Sequence, residues 1–325
     1  MSKVFNFKNG FPTLTEWTKI FKSKSSSAPR ATLGNSITAL NSAKALNIKN
    51  VQQKTAVEIY PGLGIWTNAL KDIGFKRVLT LEQQPNYFQW MKQVSETSNG
   101  VIETIKKDGY DWDTYTFLKD PNYLGSLQNT DWSKVHPNIF FTGLIPKGRK
   151  GEQLLSQFIC CVNNRMAMQT FGRVPMAFWI PDQLFTKFTA GPSDSNRCKM
   201  SVVAEACSTL KVIYTTKEGD IYPESVYHLV SIVPLEESKI KADWDVFEYV
   251  LKHLFVMRRQ PLKSMVRTLG PGAEIILGRL SFDTSILIRD LSAEQLSEVA
   301  QKFDEWPLRP KVLFEDASVF LTKQQ

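Results

Sequence analysis

From residue 56 onward, short apolar runs alternate with amphipathic stretches, and that alternation predicts the architecture. Val57–Tyr60, Arg77–Leu81, Val101–Lys106, Ile139–Thr142 and Met176–Ile180 are compact apolar runs, the pattern of strands buried on both faces of a parallel sheet. Helices are expected between them, from near Ile65, over Tyr87–Val94, Gln153–Asn163 and Gln183–Thr189. Ser201–Ala206, Val212–Thr215 and Val226–Val233 predict further strands, with Pro223 and Pro234 as boundaries. The stretch 108–137, rich in Asp, Asn, Tyr and Trp, reads as a long loop. After Pro234 the period becomes helical. Phe247, Val250, Leu251 and Leu254 place a helix over Trp244–Met257, and a second piece covers Leu262–Leu269. Ser292 and Gln295 form a capping-box pattern that opens a third helix to Phe303. Ahead of the sheet, helices are expected around Leu14–Phe21 and from Asn35 to Leu46. The chain therefore reads as an α/β domain over residues 1–236, with a basic N-terminal segment 1–30, followed by a smaller helical domain over 237–325.

Composition narrows the classes. At 325 residues with 42% hydrophobic side chains, the chain can bury a substantial core. It has no apolar run of about 18 residues, the length a membrane-spanning helix needs. Cys160, Cys161, Cys198 and Cys207 lack paired-ligand spacing, and His136, His228 and His253 are dispersed, so neither a metal centre nor a disulfide framework is expected. Reduced thiols suit cytosol or mitochondrial matrix. Net charge is +8, and its distribution is uneven. Residues 1–57 hold nine Lys or Arg against Glu16 alone, and residues 252–279 hold six against Glu274 alone. Segregated positive charge points to a polyanionic partner. The first thirty residues also have the basic, Ser-rich character of an import leader, although Arg30 is the sole arginine there. Phe5, Phe7, Phe11, Trp17, Ile20 and Phe21 fit a docking segment better.

Candidate chemistry concentrates at strand ends. Val57-Glu58-Ile59-Tyr60-Pro61-Gly62-Leu63-Gly64 runs from a buried strand through a glycine turn into a helix. It resembles the acidic-x-Gly-x-Gly-x-Gly turn of S-adenosylmethionine (SAM) methyltransferases, in which glycines let the backbone approach the ligand at a helix N-terminus. Tyr60 stands where the first glycine belongs, and its ring is expected to fill cofactor space. Glu82 ends the second strand, where nucleoside-binding α/β folds bind ribose hydroxyls, and Asp108 follows the third. Adenine-amino methyltransferases carry Asn or Asp, then x-Pro and an aromatic, after the fourth strand. This chain has Leu144-Ile145-Pro146-Lys147 there, without an acceptor or a stacking ring.

The order of motifs resembles the ribosomal RNA adenine dimethyltransferase family, and most closely its transcriptional branch, the mitochondrial transcription factor B proteins. Carrying the resemblance are the glycine turn, Leu79-Thr80-Leu81-Glu82-Gln83, Lys107-Asp108-Gly109-Tyr110-Asp111-Trp112, Cys198-Lys199-Met200-Ser201-Val202-Val203-Ala204-Glu205-Ala206, Met257-Arg258-Arg259-Gln260-Pro261-Leu262 and Phe303-Asp304-Glu305-Trp306-Pro307-Leu308-Arg309-Pro310. It implies a SAM-methyltransferase-like (Rossmann-like) sheet flanked by helices, with a smaller C-terminal helical domain. It also implies a degenerate cofactor site at Phe11, Glu58, Tyr60, Gly62, Gly64, Glu82, Asp108 and Leu144, with no cofactor required and no catalytic residue. The implied role is a monomeric matrix factor without membrane attachment that binds the single-subunit mitochondrial RNA polymerase. Such factors help recognise and melt promoter DNA, holding the non-template strand in a basic interdomain groove while the C-terminal tail reaches the template strand. Arg165, Lys187, Arg197, Lys199, Arg258, Arg259, Lys263 and Arg267 are the candidate phosphate contacts, and Trp112, Tyr115, Tyr123 and Trp132 the candidate stacking rings. The alternative is an active ribosomal RNA adenine N6-dimethyltransferase using SAM.

Overall fold

The computed structural model describes residues 30–127 and 129–311, together with Glu16 and Phe21. The chain divides into two compact units. One comprises residues 30–185 and 209–236 with the two isolated N-terminal positions, and the other comprises Thr186–Ser208 with residues 237–311. The chain passes between the units after Glu236, and the segment Thr186–Ser208 groups with the second unit. No helix among the described residues is long and apolar enough to cross a membrane.

The first unit is built on a seven-stranded sheet. Its strands are β2 (Thr55–Ile59), β3 (Arg77–Leu81), β4 (Ile102–Ile105), β5 (Ile139–Leu144), β6 (Met176–Pro181), β7 (Ser208–Thr215) and β9 (Tyr227–Pro234), in the order β4-β3-β2-β5-β6-β9-β7. β1 (Thr32–Leu33) and β8 (Ile221–Tyr222) form a separate antiparallel pair. β4 through β6 run parallel, and β9 is antiparallel to β6. Every residue of β2, β5 and β6 is buried, which is why these strands read as near-continuous apolar runs. Helix α1 (Ser36–Ala45) precedes the sheet, and helices α2 (Ile65–Asp72), α3 (Pro85–Glu96), α4 (Trp112–Phe117) and α5 (Arg149–Asn164) lie between its strands in sequence. Asn35 caps α1 by accepting from the amides of Ile37 and Thr38.

Register positions the site. Ile59 pairs with Leu81 on one side and with Gly143 on the other, and Leu81 pairs with Ile105. Four strands therefore end level, and the residues just beyond them meet along one carboxyl edge. β2 lies between β3 and β5, so strand order reverses there, the place where open α/β sheets receive ligands.

Two sequence expectations need correction. Ser201–Ala206 is not a strand but lies within helix α7 (Lys199–Cys207), which follows α6 (Asp182–Phe188). Val202-Val203 favours strand locally. The Cys198–Ser201 capping box and the alanines at 204 and 206 favour helix, and burial of almost every residue decides it. The stretch 108–137 is not one loop: α4 and a π-turn at Pro121–Gly125 lie within it. The second unit continues with α8 (Trp244–Leu254), the single turn α9 (Leu262–Met265) and α10 (Ala293–Asp304). The predicted capping box at Ser292 and Gln295 is formed on both sides. Most of the Leu14–Phe21 helix expectation lies outside the described residues.

Candidate functional site: a pocket filled by its own chain

The carboxyl edge brings Glu58, Tyr60, Gly62, Gly64, Glu82, Asp108 and Leu144 to the ends of β2, β3, β4 and β5. Phe11 lies outside the described residues. Tyr60 follows β2 directly and is buried at 6% exposure, with φ of 53°, the left-handed region that favours glycine. Its hydroxyl donates to Asp108 Oδ1 at 2.6 Å. The Tyr110 amide donates to the same oxygen at 3.0 Å, and Lys150 Nζ donates to Asp108 Oδ2 at 3.1 Å. Burial alone would push the Asp108 carboxyl up. Hydrogen bonds from Tyr60, Tyr110 and Lys150 outweigh it, and the net shift is downward. Thr114 Oγ1 donates to the Asp108 carbonyl at 2.6 Å and fixes the turn.

Glu82 is equally committed. Its Oε1 accepts the Gln84 amide at 2.9 Å, and its Oε2 accepts Arg30 in a largely buried ion pair. The Arg30 guanidinium carbon lies 4.4 Å from the Tyr87 ring centroid and 5.1 Å from that of Tyr60. Thr32, two residues on, fills the glycine turn. Its hydroxyl accepts the Leu63 amide at 3.2 Å, and a Cβ at Gly62 would sit 2.5 Å from that oxygen. Gly64, at φ 80°, starts α2. Glu58 lies inside β2 at 1% exposure. Burial holds its carboxyl up, at about 8, with a smaller opposing effect from the Thr67 hydroxyl. Leu144 is packed into the core and offers no polar atom at the strand end.

The wider pattern matches the family described as Ribosomal RNA adenine dimethylase over residues 33–305. The chain belongs to that family. Mitochondrial transcription factor 1 of Saccharomyces paradoxus is 26% identical over 302 residues, covering 85% of this chain and 87% of the relative. Its namesake in Lachancea kluyveri is 24% identical, covering 95% and 97%. The fold is that of a solved dimethyladenosine transferase from Plasmodium falciparum, with a TM-score of 0.64 at 14% identity over 84% of this chain and 98% of that one.

The dimethylase frame implies SAM, and the residues present do not fit it. Both oxygens of Glu82 and both of Asp108 already accept bonds from the protein, Tyr60 fills the first glycine position, and Thr32 holds the turn amide. No step can be built through that cofactor here. Sequence reasoning named the acids and Tyr60 but not the two cations that pair with the acids. The signal for Arg30 was its identity as the only arginine in a lysine-rich segment. Lys150, at the start of α5, carried none.

The predicted phosphate contacts divide sharply. Arg165, in the first unit, is exposed, and its guanidinium stacks over Trp132 at 5.0 Å. In the second unit Lys199, Arg259, Lys263 and Arg267 are exposed, while Lys187 and Arg258 are half-buried. Arg197 is a correction: it is fully buried. Its guanidinium donates to the carbonyls of Ala190 at 3.1 Å and Leu291 at 2.9 Å and pairs with Glu205 at 2.7 Å. It ties loops to helices and is not available to a phosphate. Of the candidate stacking rings, Trp112 is exposed, whereas Tyr115 is buried against Phe141 and Phe158.

Proposed function

We propose that this chain is a mitochondrial transcription initiation factor that works without methyl transfer. In this reading it acts as a monomer in the matrix, binds the single-subunit mitochondrial RNA polymerase, and helps it recognise and melt promoter DNA. Non-template and template strands are its ligands in the open complex. The observation that carries the reading is the closed pocket: Glu82 and Asp108 are consumed by Arg30, Tyr60 and Lys150, and Leu144 gives an adenine amino group nothing to accept it. Likeness to the two mitochondrial transcription factors supports it. The exposed cations Lys199, Arg259, Lys263 and Arg267 supply phosphate-directed charge in the second unit, and Arg165 does so in the first. Melting then needs no chemistry, because a factor that binds opened DNA better than duplex shifts the equilibrium by its differential affinity.

Reconstituted transcription tests this. With the cognate polymerase, the factor is expected to be required on linear duplex promoters and largely dispensable on templates melted in advance. Equal initiation with and without the chain on both templates would remove the proposal.

A further inference from the structure

The closed pocket is more than blocked. Its walls form a recognition site of a definite chemical kind: one carboxylate, Glu82, at 1% exposure, and two buried aromatic rings, Tyr60 and Tyr87, with a guanidinium held among them. Tyr87 also stacks on Phe21 at 4.5 Å between centroids, a contact in which Arg30 has no part. Arg30 pairs with Glu82 and Lys150 with Asp108, one cation to each acid.

We propose that the ancestral cofactor pocket has become an arginine receptor whose permanent occupant is Arg30, and that this occupancy is what anchors the chain ahead of β1 to the sheet. A guanidinium suits the site because it is planar, always charged, able to stack on a ring and able to bond a carboxylate at once. Lysine, the prevailing base of this segment, lacks the planar face. The proposal rests on the pocket alone and stands whether or not the chain acts in transcription.

Chemical rescue tests it on the full chain. Arg30→Ala leaves a buried carboxylate beside an empty aromatic slot, and is expected to melt on the order of 5 °C below the parent. Ethylguanidinium at about 10 mM, far below denaturing concentrations, should recover at least half of that shift in Arg30→Ala. It should leave the parent and the Arg30→Ala/Glu82→Gln double variant unmoved, and equal potassium chloride or urea should do nothing. Arg30→Ala melting with the parent, or a probe effect shared by all three proteins, would overturn the receptor. If Arg30→Ala does not fold, Glu82→Gln decides, since it is isosteric and keeps both rings. Trypsin should then cut the Arg30–Ala31 bond at least tenfold faster than in the parent, because protease recognition needs a released guanidinium. Equal cutting would show that the side chain was never held. S-adenosylhomocysteine should give no thermal shift with the parent, and a saturable shift would show the slot open to nucleosides and end the proposal.

Discussion

In the first unit Arg30 is largely buried against Glu82, and Lys150, itself exposed, reaches the buried Asp108, whereas in the second Arg259, Lys263 and Arg267 are exposed in a stretch of sequence whose only acid is Glu274. Arg197 repeats the inward pattern within the second unit, locked to Glu205 and two carbonyls. The contrast teaches that net charge does not say where a field is. A buried, paired cation fixes geometry and projects little beyond its partner. An exposed one in acid-poor surroundings acts at a distance of about a Debye length, roughly 8 Å at physiological salt.

The largest effect should come from breaking an inward pair. Arg197→Ala takes a fully buried guanidinium away from two carbonyls and from Glu205, which is partly exposed and keeps the Ala293 amide, and urea unfolding should register a loss of about 3 kcal/mol. A loss near zero would show that the side chain is solvated after all and would restore it to the phosphate-contact candidates. Next comes Glu58, whose folded pKa of about 8 lies above the ordinary carboxylate value because of burial. Its neutral form is favoured in the fold, so its contribution is fully present below the unfolded pKa and is lost as pH rises through about 8. Stability should fall between roughly pH 4.5 and 8, by at most about 1.4 kcal/mol per pH unit from this group. Glu58→Gln should flatten that slope, and an unchanged pH profile would contradict the burial argument. Asp108 works with the opposite sign, its stabilisation being lost as pH falls through its lowered pKa. The smallest structural effect belongs to the outward set. Arg259→Ala and Arg267→Ala should leave melting unchanged but lower the slope of log affinity for single-stranded DNA against log salt by about 0.7 per residue. An unaltered slope would show that these cations make no phosphate contact.

The sheet was legible because strands buried on both faces announce themselves as apolar runs, and α10 because Ser292 and Gln295 form a local capping box. Ser201–Ala206 misled for the converse reason: Val202 and Val203 carry a local preference that tertiary burial overrides. The pocket was half legible. Glu58, Glu82 and Asp108 sit on or just past strands, where position alone marks them. Their partners do not, since Arg30 lies 52 residues from Glu82 and Lys150 lies 42 from Asp108, beyond the reach of any local pattern. Arg197 sat between Asn196 and Cys198 with Lys199 next, a neighbourhood that reads as surface loop until the fold closes over it.

Tyr60 retains the left-handed backbone angle that a glycine adopts without strain, at a price of about 1–3 kcal/mol for a side-chain-bearing residue. The main-chain contour of the turn is thus one that suits glycine, carried here by a residue with a large side chain. Reinstating glycine at that position would meet no resistance from the trace of the polypeptide, only from the furniture moved into the room since.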